Sequence, residues 1–158
     1  MVMVGQYKRI KVNGTPEERR KIRAGLDLMK KYDWNRLPPD TCVTIKALDA
    51  VSHTSGPFVK GKKTCYEINI EPDDLKDDVE TGLALGHEFM HVRDITERGL
   101  GAVDEPEDEL QVHRETKELV EEAMPKEDRP RYMARLAEES KQQDDYIAHY
   151  EREAAGHI

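Results

Sequence analysis

The sequence contains few of the features that mark membrane-bound or nucleic-acid-binding proteins. It has two cysteines, and none of its apolar stretches approaches the length of about 18 residues that a membrane span needs. Its 25 lysine and arginine residues are outnumbered by 33 aspartate and glutamate residues, which gives a net charge of -8. Because an acidic chain without a basic stripe does not attract nucleic acid or an anionic membrane, we expect neither as a partner.

The N-terminus and the cysteines both bear on the cellular compartment. The first seven residues carry no charged region followed by an apolar run and a cleavage site, which is the pattern of a secretory signal. We therefore expect a cytoplasmic protein, and secretion without such a signal stays compatible with the sequence. Cys42 and Cys65 lie in strand-like segments and lack the close spacing of a zinc site. We expect free thiols on neighbouring strands, and the alternative is that the two residues pair.

The 158 residues have the length of a single domain, and several segments predict strands. Residues 41–48 and 64–70 alternate apolar and polar side chains and are rich in β-branched residues, so both predict strands. A less regular alternation at 6–12 predicts a short first strand. Residues 52–57 predict a loop, and 60–63 a hairpin turn. At the edge of a sheet, segment 64–70 would bind an extended peptide through its unpaired backbone groups.

Helix signals in the rest of the chain complete the expected fold. A capping box at Thr15 and Glu18 begins a helix that runs to about Tyr32. Further helices are expected from the acidic segment 71–74, from Pro106 and from Pro130. The sequence therefore predicts an α+β fold, with a small mixed or antiparallel sheet of three to four strands packed on the second helix and further helices toward the C-terminus.

The second predicted helix contains the pattern His-Glu-x-x-His. Its four-residue spacing places His87 and His91 on the same side of the helix, so that both imidazoles can bind one metal ion. The same row contains Leu75, Val79 and Leu83 and therefore faces inward. Glu88 is rotated by about a third of a turn, which places its carboxylate where it can deprotonate a metal-bound water. The alternative is a pair of packed histidines with Glu88 in a salt bridge.

A third ligand is expected from the helix after Pro106. A catalytic zinc site takes three protein ligands and leaves a fourth position for water. Glu109 and His113 lie on the apolar face of this helix, where a carboxylate without a partner is costly. We favour Glu109 as the third ligand, with His113 beside it as a group that orients a ligand or stabilises the transition state. The converse assignment, and a hydrogen bond between the two side chains, are the alternatives.

The set His87, Glu88, His91 and Glu109 resembles the gluzincin metallopeptidases, in which His-Glu-x-x-His on one helix is completed by a glutamate from a second helix. The short sheet and two helices are more similar to minimal single-domain gluzincins and to injected bacterial effector proteases than to full-size thermolysin. The resemblance implies a Zn²⁺-dependent endopeptidase with Glu88 as general base and a peptide or protein as substrate. It departs from the family at His113, where an acid often orients a ligand histidine.

The resemblance also divides the chain. It assigns residues 1–128 to a zincin-like metallopeptidase domain, and leaves 129–158 as a C-terminal helix that either belongs to the same compact unit or covers the cleft as a self-inhibiting tail. In the second case His149 or His157 would reach the metal. The alternative function is a non-catalytic or latent zinc-containing binding module, such as a toxin or a regulatory partner.

The oxyanion of a peptidase needs a second donor besides the metal. His113 is one candidate, and Tyr132, His149 and Tyr150 are others from the C-terminal region. Arg129 and Tyr132 have the Arg-x-x-Tyr spacing of some effector and neurotoxin-type gluzincins. The favoured interpretation of that segment is nevertheless a helix start after Pro130 with Tyr132 packed against the protein.

Overall fold

The structure is a computed structural model, which describes residues 9–34, 37–48, 52–99 and 106–156. Within these ranges lie strands β1 (Ile10–Val12), β2 (Thr41–Ala47), β3 (His53–Lys60) and β4 (Lys63–Ile70), helices α1 (Pro16–Lys31), α2 (Asp78–Arg98), α3 (Pro106–Ala123) and α4 (Pro130–Ala155), and 3₁₀ turns at Pro72–Leu75 and Met124–Lys126. The α+β class predicted from the sequence is confirmed. No helix in the described ranges combines the length and apolarity needed to cross a membrane.

The four strands form one mixed sheet in the order β1-β2-β4-β3. Strands β1, β2 and β4 are parallel, whereas β3 pairs antiparallel with β4. The prediction of a loop at 52–57 is wrong, because these residues form most of β3. Pro57, after a cis peptide bond, coincides with a shift in register between Ser55 and Phe58. Proline is tolerated at such an irregularity on an edge strand, where it removes no ladder hydrogen bond.

Two further strand predictions are changed by this topology. β4 lies inside the sheet between β2 and β3, so the edge available for an extended peptide is β3 and not the segment 64–70. The first strand begins at Ile10, and the part of its predicted range before residue 9 lies outside the described residues. The sheet edge next to α2 is therefore the strand that the sequence pattern failed to indicate.

Cys42 and Cys65 form a disulfide between β2 and β4. They are direct partners in the parallel register, with Cα atoms 4.4 Å apart. The expectation of free thiols is wrong, and the alternative that the two residues pair is confirmed. A spacing of 23 residues says nothing about register, and only the pairing of β2 with β4 brings the sulfurs together. Disulfides persist mainly in oxidising compartments, and the cytoplasmic location of the chain stays a prediction.

Helix α1 begins as its sequence predicts and packs closely on α2. The Thr15 hydroxyl accepts a hydrogen bond from the Glu18 backbone N–H at 3.1 Å, and the Glu18 carboxylate accepts one from the Thr15 N–H at 2.9 Å. The two helices meet at glycines. A Cβ on Gly25 would lie 2.6 Å from Thr81 Cγ2 and 3.0 Å from the Gly82 nitrogen. Backbone contact at this point holds α2 against the core.

We expect the substitution Gly25→Ala to lower the free energy of unfolding by about 1–3 kcal/mol, because the added methyl group forces α1 and α2 apart. Chemical denaturation measures the change. The matched control is Gly86→Ala in α2, where an added Cβ would meet Met29 only at 4.0 Å. That substitution should leave stability unchanged or raise it by up to about 1 kcal/mol through helix propensity. Equal effects at both sites would contradict close backbone packing at Gly25.

Helix α2 starts later than predicted. The acidic segment 71–74 falls largely in the 3₁₀ turn Pro72–Leu75, and α2 itself begins after Asp77, whose carboxylate accepts a hydrogen bond from the Glu80 N–H at 2.8 Å. It ends at Gly99, which has a φ of 96°. The row of Leu75, Val79 and Leu83 is buried, as its spacing predicts. The inward face of α2 therefore continues into the two histidines.

Helix α4 packs along α3 and contributes to the core. Leu136 is fully buried, and Glu139 and Gln143 are buried on the same side. The segment that follows α3 is fixed by the side chain of Glu127, which is buried next to the end of α1. Its carboxylate accepts hydrogen bonds from the Tyr32 hydroxyl and from the Arg129 guanidinium, the latter at 2.7 and 3.0 Å. These bonds hold the pKa of Glu127 well below its usual range.

We expect Glu127→Gln to lower the temperature of thermal unfolding at pH 7. Because the pKa of Glu127 is depressed in the folded protein, its contribution is present above the ordinary value of 4.5 and is lost as the pH falls further. The difference between wild type and variant should therefore be full at pH 7 and shrink below pH 4.5. Calorimetry from pH 3 to pH 8 measures it, with the exposed Glu122→Gln as control. A difference that does not change with pH would contradict the role of the carboxylate charge.

Candidate metal centre

Helices α2 and α3 bring three of the predicted residues together. His87 Nε2 lies 3.0 Å from His91 Nε2. The carboxylate of Glu109 approaches both, with Oε2 at 3.2 Å from His87 Nε2 and Oε1 at 3.0 Å from His91 Nε2. These distances agree with the sequence prediction that one turn of α2 and one side chain of α3 converge on a single point.

The geometry and chemistry of these atoms fit a divalent metal ion. Ligands of a tetrahedral zinc ion at 2.0–2.1 Å lie about 3.3–3.4 Å from one another, close to the separations found here. Imidazole nitrogen and carboxylate oxygen are also the donor types that zinc takes in catalytic sites. Without a cation, His87 and His91 must supply protons to hold Glu109, since a carboxylate only accepts.

The charges at this point stabilise one another. Burial raises the pKa of Glu109, but the hydrogen bonds and positive charge of His87 and His91 outweigh burial and hold it well below its usual range. Burial lowers the pKa of His91, and its hydrogen bond to Glu109 together with the nearby carboxylates raises it above the ordinary value. The Glu109 carboxylate is therefore ionised, and the two imidazoles face a negative group that a cation can also bind.

Glu88 is buried beside the three ligand candidates, with 4% of its surface exposed. Its Oε1 accepts a hydrogen bond from the Thr54 hydroxyl at 2.8 Å. Thr54 belongs to β3, so the edge strand orients the carboxylate that the sequence pattern predicts as a base. No pattern in the sequence indicated Thr54, because the contact depends on β3 lying next to α2. Among the residues that the structure describes, the hydrogen bond found for this carboxylate is the one from Thr54 to Oε1.

The acidic residue Asp108 also lies close to His91. The Nδ1 atom of His91 is 3.4 Å from Asp108 Oδ2, and neither atom has a hydrogen-bond partner within the described residues. Asp108 is buried, and burial together with Asp94 raises its pKa. Arg98 contacts both aspartates, which offsets their charge. The sequence analysis missed Asp108, although its position one turn before Val112 on the buried face was a signal for it.

His113 lies next to Glu109 and is held by α4. Its Nε2 is 3.8 Å from Glu109 Oε2, and its Nδ1 is 2.7 Å from Gln143 Oε1. The imidazole stacks on Tyr146 and Tyr150, at centroid distances of 4.7 and 5.4 Å. Burial and the charge of His87 lower the pKa of His113 to about 4. Sequence reasoning placed His113 beside Glu109 but did not find Gln143 or Tyr146, which reach it from another helix.

A cleft of about 230 Å³ opens beside these residues. Its lining contains His87, Glu88, Leu83, Ala84, Ser52, Asp74, Glu80, His113, Thr116, Glu139, Gln143 and Tyr146. The α4 side chains in this set form one wall of the cleft. The C-terminal helix therefore borders the cleft, whereas one alternative had it lying across the cleft as a tail.

The other predicted donors lie away from the three ligand candidates. The Tyr132 hydroxyl donates to Asp78 at the start of α2, in agreement with the favoured interpretation that Tyr132 packs against the protein. His149 is half exposed and faces Glu153 at 4.0 Å. His157 lies outside the described residues. Among the candidates from the C-terminal region that the structure describes, Tyr150 lies next to His113, at a ring-centroid distance of 5.4 Å.

Comparison of the chain with protein-family models, with curated proteins and with solved structures finds no match in any of the three. Function must therefore be inferred from the residues of the site.

Proposed function

We propose that the chain is a zinc-dependent endopeptidase in which His87, His91 and Glu109 hold the ion and Glu88 is the general base. One observation carries the proposal: a buried carboxylate with its own hydroxyl tether stands beside three converging ligand atoms and opens on a cleft. A purely structural metal site needs no base between its histidines. The gluzincin resemblance, with Zn²⁺ as the ion, stays a prediction that rests on the same few residues.

The chemistry follows from the position of Glu88. Zn²⁺ bound at this site would polarise the peptide carbonyl and acidify a water molecule. Glu88 accepts the proton of the attacking water and later donates it to the leaving amine, so the carboxylate is regenerated when the C–N bond breaks. Thr54 holds Oε1 and leaves the second oxygen for the water. The Glu88 carboxylate is thus oriented by a neutral hydroxyl group and can still accept a proton.

The edge strand β3 offers backbone groups with which an extended substrate could pair. This strand lies at the edge of the described sheet, and its Thr54 contacts Glu88 directly. An extended peptide that pairs with the outer edge of β3 would pass the cleft with its carbonyl groups near α2. Hydroxyl groups on α4 are candidate donors for the oxyanion, because Tyr146 lines the cleft and Tyr150 stacks on His113.

A second function has one observation in its favour. His113 offers a fourth ligand atom, its Nε2, beside Glu109, and a tetrahedral metal ion with four protein ligands has no position for water. Such a closed centre would make the protein a latent or non-catalytic zinc-containing module, in which the ion stabilises a binding surface. Hydrolysis of a peptide substrate separates the two functions.

We expect Glu88→Gln to abolish hydrolysis of unfolded casein and to leave one zinc ion per chain. A missing general base costs about 10²–10⁴-fold in turnover, while the ligands of the ion are untouched. Fluorescent casein and elemental analysis provide the two measurements. The matched control is Glu118→Gln on the exposed face of α3, which should behave as wild type. Hydrolysis retained in the Glu88 variant would exclude this residue as the base, and an inactive wild type that binds zinc would favour the latent module.

We expect Asp108→Ala to weaken zinc binding by about 10–100-fold, because His91 loses the buried carboxylate that lies 3.4 Å from its Nδ1 and favours a proton on that nitrogen. Asp108→Asn, which keeps the shape and an acceptor oxygen, should lose less. Competition with a chelating dye measures the dissociation constants, and Asp145→Ala on the exposed side of α4 is the control. Unchanged affinity in Asp108→Ala would show that this aspartate serves only the packing of Arg98.

A further inference from the structure

The hydrogen bond between His113 and Gln143 determines which nitrogen of the imidazole carries the proton. An amide oxygen can only accept a hydrogen bond, so the contact of Gln143 Oε1 at 2.7 Å requires the proton of His113 on Nδ1. The lone pair then lies on Nε2, which is 3.8 Å from Glu109 Oε2. Two acceptors face each other there. A cation between them removes this repulsion, whereas an oxyanion would find no donor at Nε2.

Helix α4 fixes the ring in this arrangement. Gln143 is buried, with 5% of its surface exposed, so its hydrogen bond is not exchanged freely for one to water. Tyr146 and Tyr150 follow on the same side of α4, and their rings lie within 20° and 15° of parallel to the imidazole. Three side chains of one helix therefore determine both the tautomer and the plane of His113.

The distances place Nε2 just outside a tetrahedral ligand set. The separation of 3.8 Å from Glu109 Oε2 is about 0.4 Å longer than the spacing of about 3.4 Å between zinc ligands. The ligand atoms of His87, Glu109 and His113 all lie within 4.8 Å of one another. Binding of His113 to an ion at this site would need the separation from Glu109 Oε2 to shorten by about 0.4 Å.

We propose that His113 is a displaceable fourth ligand, which closes the metal site in the substrate-free protein and must leave before a substrate carbonyl can bind. The proposal rests on the metal centre of the proposed function and adds its regulation. Gln143 is then a positioning residue, because it keeps the Nε2 lone pair directed at the ion. The C-terminal helix would act on the centre through this histidine and would not need to cover the cleft.

X-ray absorption at the zinc edge tests the ligand set directly. The zinc-loaded wild type should show three imidazole ligands, and His113→Phe should show two, with the ring volume and the tyrosine stacking preserved. His149→Ala removes an exposed histidine of α4 and should keep three. Two imidazoles in the wild type would overturn the proposal while leaving the proposed peptidase intact. A protein that binds no zinc would instead overturn the metal centre itself.

Binding of acetohydroxamate, a small zinc chelator, gives a second readout that does not depend on turnover. It must displace His113 in the wild type, so its dissociation constant should be about tenfold lower in His113→Phe if the histidine is bound nine-tenths of the time. Gln143→Leu frees the tautomer and should also tighten binding. Gln143→Glu restores an acceptor for Nδ1–H and should behave as wild type. Equal affinities in all four proteins would contradict displacement.

Discussion

Two imidazole nitrogens and an ionised carboxylate lie within 3.2 Å of one another where α2 faces α3, and the surrounding structure serves to hold them there. Such a cluster needs protons on the imidazole nitrogens or a cation between the groups. Imidazole N–H groups can donate to the carboxylate, and a divalent ion bound by the same atoms can replace those protons. Glu88, Asp108 and His113 are all arranged around this point, and each contacts a different part of the fold.

The fold positions the cluster from three sides. Backbone contact between α1 and α2 at Gly25 holds α2, which carries His87 and His91, against the core. The edge strand β3 reaches Glu88 through Thr54, and α4 reaches His113 through Gln143. Glu88 and His113 are therefore oriented by elements that are distant in sequence. Rigid support of this kind is what a catalytic carboxylate requires, since its geometry must be set before the substrate arrives.

Local patterns in the sequence were enough to predict the ligand candidates. The four-residue row on α2 and the apolar face of α3 depend only on helix periodicity, so His87, His91, Glu109 and His113 came out on the correct faces. The same holds for the capping box at Thr15. What local pattern could not supply was tertiary register. Pro57 led to the wrong prediction of a loop in place of β3. The contacts of Thr54 with Glu88, of Asp108 with His91 and of Gln143 with His113 each depend on packing between elements. The expectation of free thiols at Cys42 and Cys65 was wrong for the same reason.

The most direct measurement of the metal centre is anomalous X-ray diffraction at the zinc edge, from crystals of the full chain grown with Zn²⁺. The expected result is one anomalous peak at about 2.0–2.2 Å from His87 Nε2, from His91 Nε2 and from a carboxylate oxygen of Glu109. A zinc peak elsewhere, or none at these three residues while their side chains contact one another directly, would contradict a metal-dependent function for this site.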